Sequence, residues 1–246
     1  MFATQLPKNV IRRCCSANAF EADVRNNFCA TSSFQRSVLI AGSALVSILN
    51  PYRGDMIACF AELSGERVLR DLRAKMERSS EGARILDDQP RINTRTVLLD
   101  HLSGLPEDTL GKTYFDFLNK YRVTPDERVM VQFIEDPGLA YVMQRYREIH
   151  DLIHTVLLMP TNMLGEVTVK WVEALQFKLP MCVTGAIFGP IRLKPKHRNL
   201  YLTQYLPWAV RTGNNAEFLL NCYFEKRWEQ KLSDFHREFN IQPLAI

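Results

Sequence analysis

The stretch richest in chemistry is His150-Asp151-Leu152-Ile153-His154, followed after eleven residues by Glu166. Side chains four apart on an α-helix share a face, so the imidazoles of His150 and His154 project to one side, with Asp151 beside them at i+1 from the first and i−3 from the second. Between His154 and Glu166, Pro160-Thr161-Asn162 interrupts the helical pattern, and Thr161 or Asn162 is a suitable N-cap for a second helix. A reversal there makes the two helices antiparallel and carries Glu166 about one turn into the second, where its carboxylate can face the histidines. Two imidazoles and two carboxylates form a nitrogen and oxygen donor set suited to zinc, or to iron or manganese where a coordination position stays open. HxxxH alone is common on helices and often marks hydrogen-bonded core histidines. The adjacent Asp and the spaced Glu are what make it a candidate metal site. The pattern is not HExxH, so the general base of that metalloprotease motif is absent, and the further His and Asp positions of an HD-type phosphohydrolase are not found.

Three residues lie one or two turns from these positions. Tyr146 precedes His150 by four, Arg147 precedes Asp151 by four, and Glu173 follows Glu166 by seven on the same face. Metal-bound histidines need partners to orient them, so all three are expected to pack or to hold ligands in place rather than to react.

The elements that must position these groups read as an all-α, single compact multi-helix domain, because apolar residues recur mostly at helical spacing and strand-like alternation is scarce. Helices are expected at about Val38–Leu49, Met56–Leu63, Glu66–Arg78, Val97–Leu102, Thr113–Tyr121, Pro137–Met159 and Met163–Leu179, with an amphipathic C-terminal segment over Phe218–Phe239. Ser79-Ser80-Glu81-Gly82 is expected to end the third of these, followed by a charged loop at Asp87-Asp88-Gln89-Pro90-Arg91. Within the C-terminal segment, Glu225–Lys231 reads as a surface helix anchored by Trp228. Leu179–Ile191 is apolar but interrupted by Pro180, Gly185, Gly189 and Pro190, which suits a core loop or a hydrophobic lip. The basic run that follows, Arg192, Lys194, Lys196, His197 and Arg198, fits a solvated loop or a contact with anionic lipid headgroups.

Composition narrows the function classes. The chain has 246 residues, 46% hydrophobic and 24% charged, with 11 Gly and 12 Pro, which excludes disordered, collagenous and multi-span membrane classes. The net charge of +4 is concentrated near the N-terminus. Residues 1–36 hold five Lys+Arg and two Asp+Glu, leaving 26 basic against 25 acidic in the body, without the basic field of a general nucleic-acid binder. With no acidic residue before Glu21 and no long apolar run, residues 1–36 read as an organellar transit peptide or a disordered leader, and 37–246 as the folded domain. Of six cysteines, Cys14, Cys15 and Cys29 fall in that leader, and Cys59, Cys182 and Cys222 are far apart, as expected of reduced structural thiols. The longest uncharged run, Ser37–Tyr52, is sixteen residues, against the ~20 a bilayer span needs. It reads as a buried helix, with an interfacial helix as the alternative.

The HDxxH, eleven residues, E pattern is similar to the signature of the ubiquinone (coenzyme Q) biosynthesis protein four family. The resemblance extends through Ser37–Leu49, Gly54-Asp55, Leu158-Met159-Pro160-Thr161 and Tyr223–Gln230, essentially the whole chain after the leader. It implies that His150, Asp151, His154 and Glu166 bind Zn2+. It also implies a carbon–carbon lyase, a C1 decarboxylase of 4-hydroxy-3-methoxy-5-polyprenylbenzoate, on the matrix face of the mitochondrial inner membrane. The implied partners are that lipid substrate, other subunits of the coenzyme Q biosynthesis complex, which the family is described as organising, and the membrane surface; homo-oligomers are compatible with it. The resemblance equally accommodates a different class, a non-catalytic lipid-binding scaffold with a structural zinc.

Overall fold

Apolar residues surround Pro137–Val156 on every side rather than along one stripe, the pattern of a helix enclosed by others. In the computed structural model, which describes residues 19–245, this helix is the central rod of an all-helical domain. The described elements run α1 (19–27), α2 (Ser33–Leu49), α3 (Gly54–Glu77), α4 (Ser80–Asp88), α5 (Leu99–Ser103), α6 (Leu110–Tyr121), α7 (Pro137–Val156), α8 (Met163–Phe177), α9 (Pro180–Phe188), α10 (Pro195–Leu200), α11 (Leu206–Asn215) and α12 (Leu232–Glu238). A π-helical stretch, Tyr201–Tyr205, joins α10 to α11. Among the described residues there is no strand, and Thr109 and Lys231 form an isolated bridge.

Seventeen of the twenty α7 residues are buried, several of them charged, and each buried charge is met by a different neighbour. Glu62 of α3 accepts from Arg147 at 2.6 Å and from the backbone N–H groups of Gln132 and Phe133. Glu148 accepts from Arg91 at 2.7 Å and from the Ile92 N–H at 2.8 Å. Arg145, wholly buried, donates to Glu225 and to the Cys222 carbonyl. These pairs fix the rotation of α7 about its axis and so decide which way its histidines point.

Several boundaries differ from the sequence pattern. The two helices expected over 56–78 are one, α3, because Gly65 stays helical, packed so that even a Cβ there would make only ordinary contacts of 3.5 Å with Leu179 and Met143. Ser79 does end α3, but its side chain also caps α4, which takes up Asp87 and Asp88 from the expected loop. The C-terminal segment is two 3-10 turns, Leu219–Asn221 and Phe224–Lys226, followed by the short α12. Trp228 nonetheless anchors it, stacking on Tyr114 with ring centroids 5.8 Å apart. Leu179–Ile191 is a helix, α9, with a 3-10 turn, Gly189–Arg192, and the basic run lies at its end and along α10.

The front of the expected leader, residues 1–18 with Cys14 and Cys15, lies outside the described residues. Residues 19–36 belong to the folded unit: Phe20 and Val24 are buried, Phe20 packs edge-on against Tyr141, and Arg36 donates to the Leu63 carbonyl and pairs with Glu66. The uncharged run is not a buried helix. Of α2 only Ser43 is buried, and Val38, Leu45, Ile48 and Leu49 are exposed.

Candidate metal centre

Asp136 caps α7 by accepting from the Leu139 N–H, and Pro137 takes the first helical position, where no backbone donor is needed. At the other end Leu158 adopts a left-handed backbone conformation, φ 54°, which costs an L-residue about 1 kcal/mol. That residue turns the chain so that the Met159 carbonyl comes back to His154 Nδ1 at 3.2 Å. Asn162 then caps α8 through the Gly165 N–H. The turn is so tight that a Cβ on Gly165 would stand 1.9 Å from the Pro160 carbonyl oxygen. Gly165→Ala is therefore expected to cost at least the ~1–3 kcal/mol of a typical overpacked site. Glu166 is the next residue, so the variant should also lose metal affinity, read as a lower Tm together with reduced zinc content.

Helices α7 and α8 run antiparallel, as the connector predicts, with Glu166 beside His154 and Glu173 beside Tyr146 and His150. The rings of His150 and His154 meet edge to face, centroids 4.8 Å apart. His150 Nε2 is 3.7 Å from Glu166 Oε2 and His154 Nε2 is 3.4 Å from Glu166 Oε1. These three residues each offer one donor atom within 4.8 Å of the others. Asp151 does not face this group; it is buried, and its Oδ1 accepts from Arg128. A residue one position along a helix is turned about 100° away, which separates Asp151 from its neighbour's face.

The electrostatics are those of a cation-binding donor set. His154 is fully buried and its Nε2 has no hydrogen-bond partner among the described residues, while Nδ1 faces a carbonyl and so carries the proton. His150 likewise turns Nδ1 to Glu173 Oε1, at 2.7 Å, and Nε2 to the site. Carboxylate or carbonyl on one ring nitrogen and metal on the other is the usual arrangement of metal-binding histidines. Burial and the Lys170 ammonium act to lower the His150 pKa, but Glu173 and Glu166 outweigh them and raise it. Surrounding protein disfavours charge on Glu166, yet His154 and His150 hold its carboxyl well below the usual carboxylate range. Burial of Glu173 is likewise overcome by Lys170 and His150, so it stays ionised. The site therefore fits a divalent metal: two lone pairs and one carboxylate converge on a space whose outer edge is Glu166, 34% exposed at its side chain.

Around this set, Tyr146 donates to Glu173 at 3.0 Å, and Lys170 donates to Glu173 at 2.6 Å and to the Tyr146 hydroxyl at 3.1 Å. Cys182 Sγ is 3.2 Å from the same hydroxyl, and burial pushes its thiol pKa up. Tyr146 and Glu173 thus sit in the ligand-orienting layer, whereas Arg147 points away to α3. Arg128, Gly165, Lys170 and Cys182 carry no sequence signal strong enough to single them out, although Lys170, four after Glu166, shares its helix face. Glu173→Gln should weaken zinc binding about 10- to 100-fold, measured by competition with a chromogenic chelator, and should also lower Tm, because buried Lys170 loses its carboxylate partner. An unchanged affinity would remove Glu173 from the ligand-orienting layer.

Comparisons with known proteins add an independent line. The family model described as coenzyme Q (ubiquinone) biosynthesis protein Coq4 matches residues 26–245. A ubiquinone biosynthesis protein COQ4 homolog, mitochondrial, from Bombyx mori is 56% identical over 225 residues, covering 92% of this chain and 87% of its own. The homolog of the same name from Aedes aegypti is 49% identical over 244 residues, 99% and 89% of the two chains. Among solved structures, a Nostoc punctiforme protein provisionally assigned to ubiquinone biosynthesis superposes with a TM-score of 0.67 over 86% of this chain and 100% of its own, at 18% identity, which speaks to the fold.

Proposed function

The chain belongs to the Coq4 family of coenzyme Q (ubiquinone) biosynthesis proteins, and from that membership we propose that it is a zinc-dependent C1 decarboxylase of 4-hydroxy-3-methoxy-5-polyprenylbenzoate. In this reading it acts in mitochondria, on the matrix face of the inner membrane, together with other proteins of the pathway. The observation that carries it is the unpartnered, buried Nε2 of His154 converging with His150 Nε2 on the Glu166 carboxylate at the open edge. His150, His154 and Glu166 would hold Zn2+; the family resemblance adds Asp151, which here pairs with Arg128 and faces away from the three. When bound, the ion supplies positive charge that stabilises a developing negative charge on a substrate oxygen.

The rest is done by the chain's own side chains. Glu173 and the Met159 carbonyl fix the two imidazoles. Arg128, partly exposed beside Asp151, offers a guanidinium for the ring carboxylate. Lys170 keeps a proton at Nζ one turn from Glu166, because the attraction of Glu173 outweighs the burial that would strip it. In the reaction the para oxygen pushes electron density to C1, which takes up a proton. The bond from C1 to the carboxylate then breaks, its electron pair returns to the ring, and carbon dioxide departs.

The test is carbon dioxide release by the full, zinc-loaded chain from a short-chain prenylated 4-hydroxy-3-methoxybenzoate. Release that disappears in Asp151→Asn is the expected result; none from folded, zinc-loaded protein overturns the decarboxylase reading. One observation favours a scaffold instead: the three donors straddle two helices, so a metal there also clamps α7 to α8. Under that reading Asp151→Asn lowers Tm and loses complex assembly.

A further inference from the structure

The surface feature that the metal centre leaves unexplained is the apolar stripe along α2. No charged residue occurs between Arg36 and Arg53, and the helix lies on the outside of the domain. Leu45, Ile48 and Leu49 point outward, Leu49 being 67% exposed, and Tyr52 in the next turn is 90% exposed. A second apolar projection stands beside it. Ile187 and Phe188 at the end of α9 and Ile191 in the following turn are all exposed, Ile191 at 69%. The two projections are joined, since α2 packs on α9 and Arg192 donates to the Ile48 carbonyl.

Charge selects the occupant. Lys194 and Lys196 are exposed just beyond Ile191, and no acidic residue occurs between Glu173 and Glu217. An apolar stripe rimmed by lysines and free of carboxylates along these segments matches a bilayer with anionic headgroups, which takes up apolar side chains and attracts cations. A surface meant for a second copy of this chain would set its lysines against lysines. We propose that the α2 stripe and the α9 tip together form a membrane-docking face. Its position also bears on the metal centre: a Cβ on Gly189 would stand 2.6 Å from Cγ1 of Val167, and one on Gly185 would stand 3.3 Å from Cγ of Lys170, which lies one turn from Glu166. The docked tip therefore packs on the helix that carries Glu166, which brings the site close to the bilayer from which a polyprenyl tail would come. Only that last step rests on the lipid-substrate reading.

Flotation with vesicles of phosphatidylcholine alone or with phosphatidylglycerol tests the face, using the full chain and two sets of exposed substitutions. Leu45→Glu/Leu49→Glu is expected to abolish binding to both. Lys194→Ser/Lys196→Ser should cut binding to the anionic vesicles by roughly thirtyfold, at about tenfold in affinity per 1.4 kcal/mol and about 1 kcal/mol per charge. Arg192 and Arg198 stay intact because both hold backbone carbonyls. Zinc content, and turnover of a soluble short-chain substrate if the wild type shows any, should not change in either variant. Vesicle binding unaltered by both sets overturns the proposal. So does light scattering that finds a dimer which Leu45→Glu/Leu49→Glu splits while vesicle binding persists. Vesicle binding lost as expected, alongside a wild type that releases no carbon dioxide, faults the decarboxylase reading and leaves the docking face standing.

Discussion

Glu166→Gln is expected to abolish zinc binding at the proposed centre without unfolding the protein. The residue sits at the rim, so its carboxamide keeps nearly the same volume and adds no buried unpaired group. It removes the carboxylate on which both Nε2 atoms converge. Zinc measured by mass spectrometry should fall from one per chain to under a tenth, and the affinity loss should exceed the ~10- to 100-fold typical of an outer partner such as Glu173. Acidification should mimic the substitution. Histidine binds metal only when its donor nitrogen is unprotonated, and His150 has its pKa raised, so it gains its proton at a higher pH than a free imidazole would. Zinc release into a chelator should accordingly increase as the pH falls, because the proton and the metal compete for the same nitrogen of His150. Stoichiometric zinc in Glu166→Gln would remove this residue from the ligand set.

The largest loss of stability is expected at Arg145. Its guanidinium is fully buried, held by Glu225 and the Cys222 carbonyl, with Nε lacking a hydrogen-bond partner among the described residues. Burial disfavours its charge, but Glu225 more than compensates. Neutralising one partner leaves a charge in a dry core, which costs about 3–5 kcal/mol. Glu225→Gln should therefore lower Tm by on the order of 10 °C, at ~2–4 °C per kcal/mol for a chain of this size. Arg145→Met should cost less, since Glu225 retains some exposure and can turn to water. The double replacement Arg145→Met/Glu225→Leu should recover most of the loss, because removing both charges removes the burial penalty with them. Calorimetry in which Glu225→Gln matches wild type would show that the pair contributes nothing net.

The difference between these two sites also explains what the sequence made legible. The ligand pattern is local: i and i+4 on one helix, a proline-marked turn, a Glu one turn on, with Asn162 as the cap. Periodicity and capping rules reach that far. They do not reach Arg128, which meets Asp151 from a loop, nor Lys170 and Cys182, whose relation to Tyr146 exists only once α8 and α9 are packed. Gly65 misled because its helix cost of about 1 kcal/mol is overridden by the contacts of α3 with its neighbours. The charged stretch around Trp228 misled for the opposite reason. Its alternation suits a helix, but Tyr223, Glu225 and Arg227 are claimed by Glu81 and Arg145, more than 75 residues away, and the backbone follows those ties. The α2 stripe has the composition of a core helix, and only the fold reveals that nothing in the described chain covers it.

The charges enclosed in α7 also set an order of assembly. Arg147 waits for Glu62, 85 residues upstream, Glu148 for Arg91, 57 upstream, and Arg145 for Glu225, 80 downstream. No stretch of chain around α7 can supply all three, so a partly synthesised or partly imported chain that collapsed around this helix would trap unneutralised charge. Premature burial is thereby penalised until the last two dozen residues are present. The central rod is therefore expected to close late, when both ends of the chain can reach it.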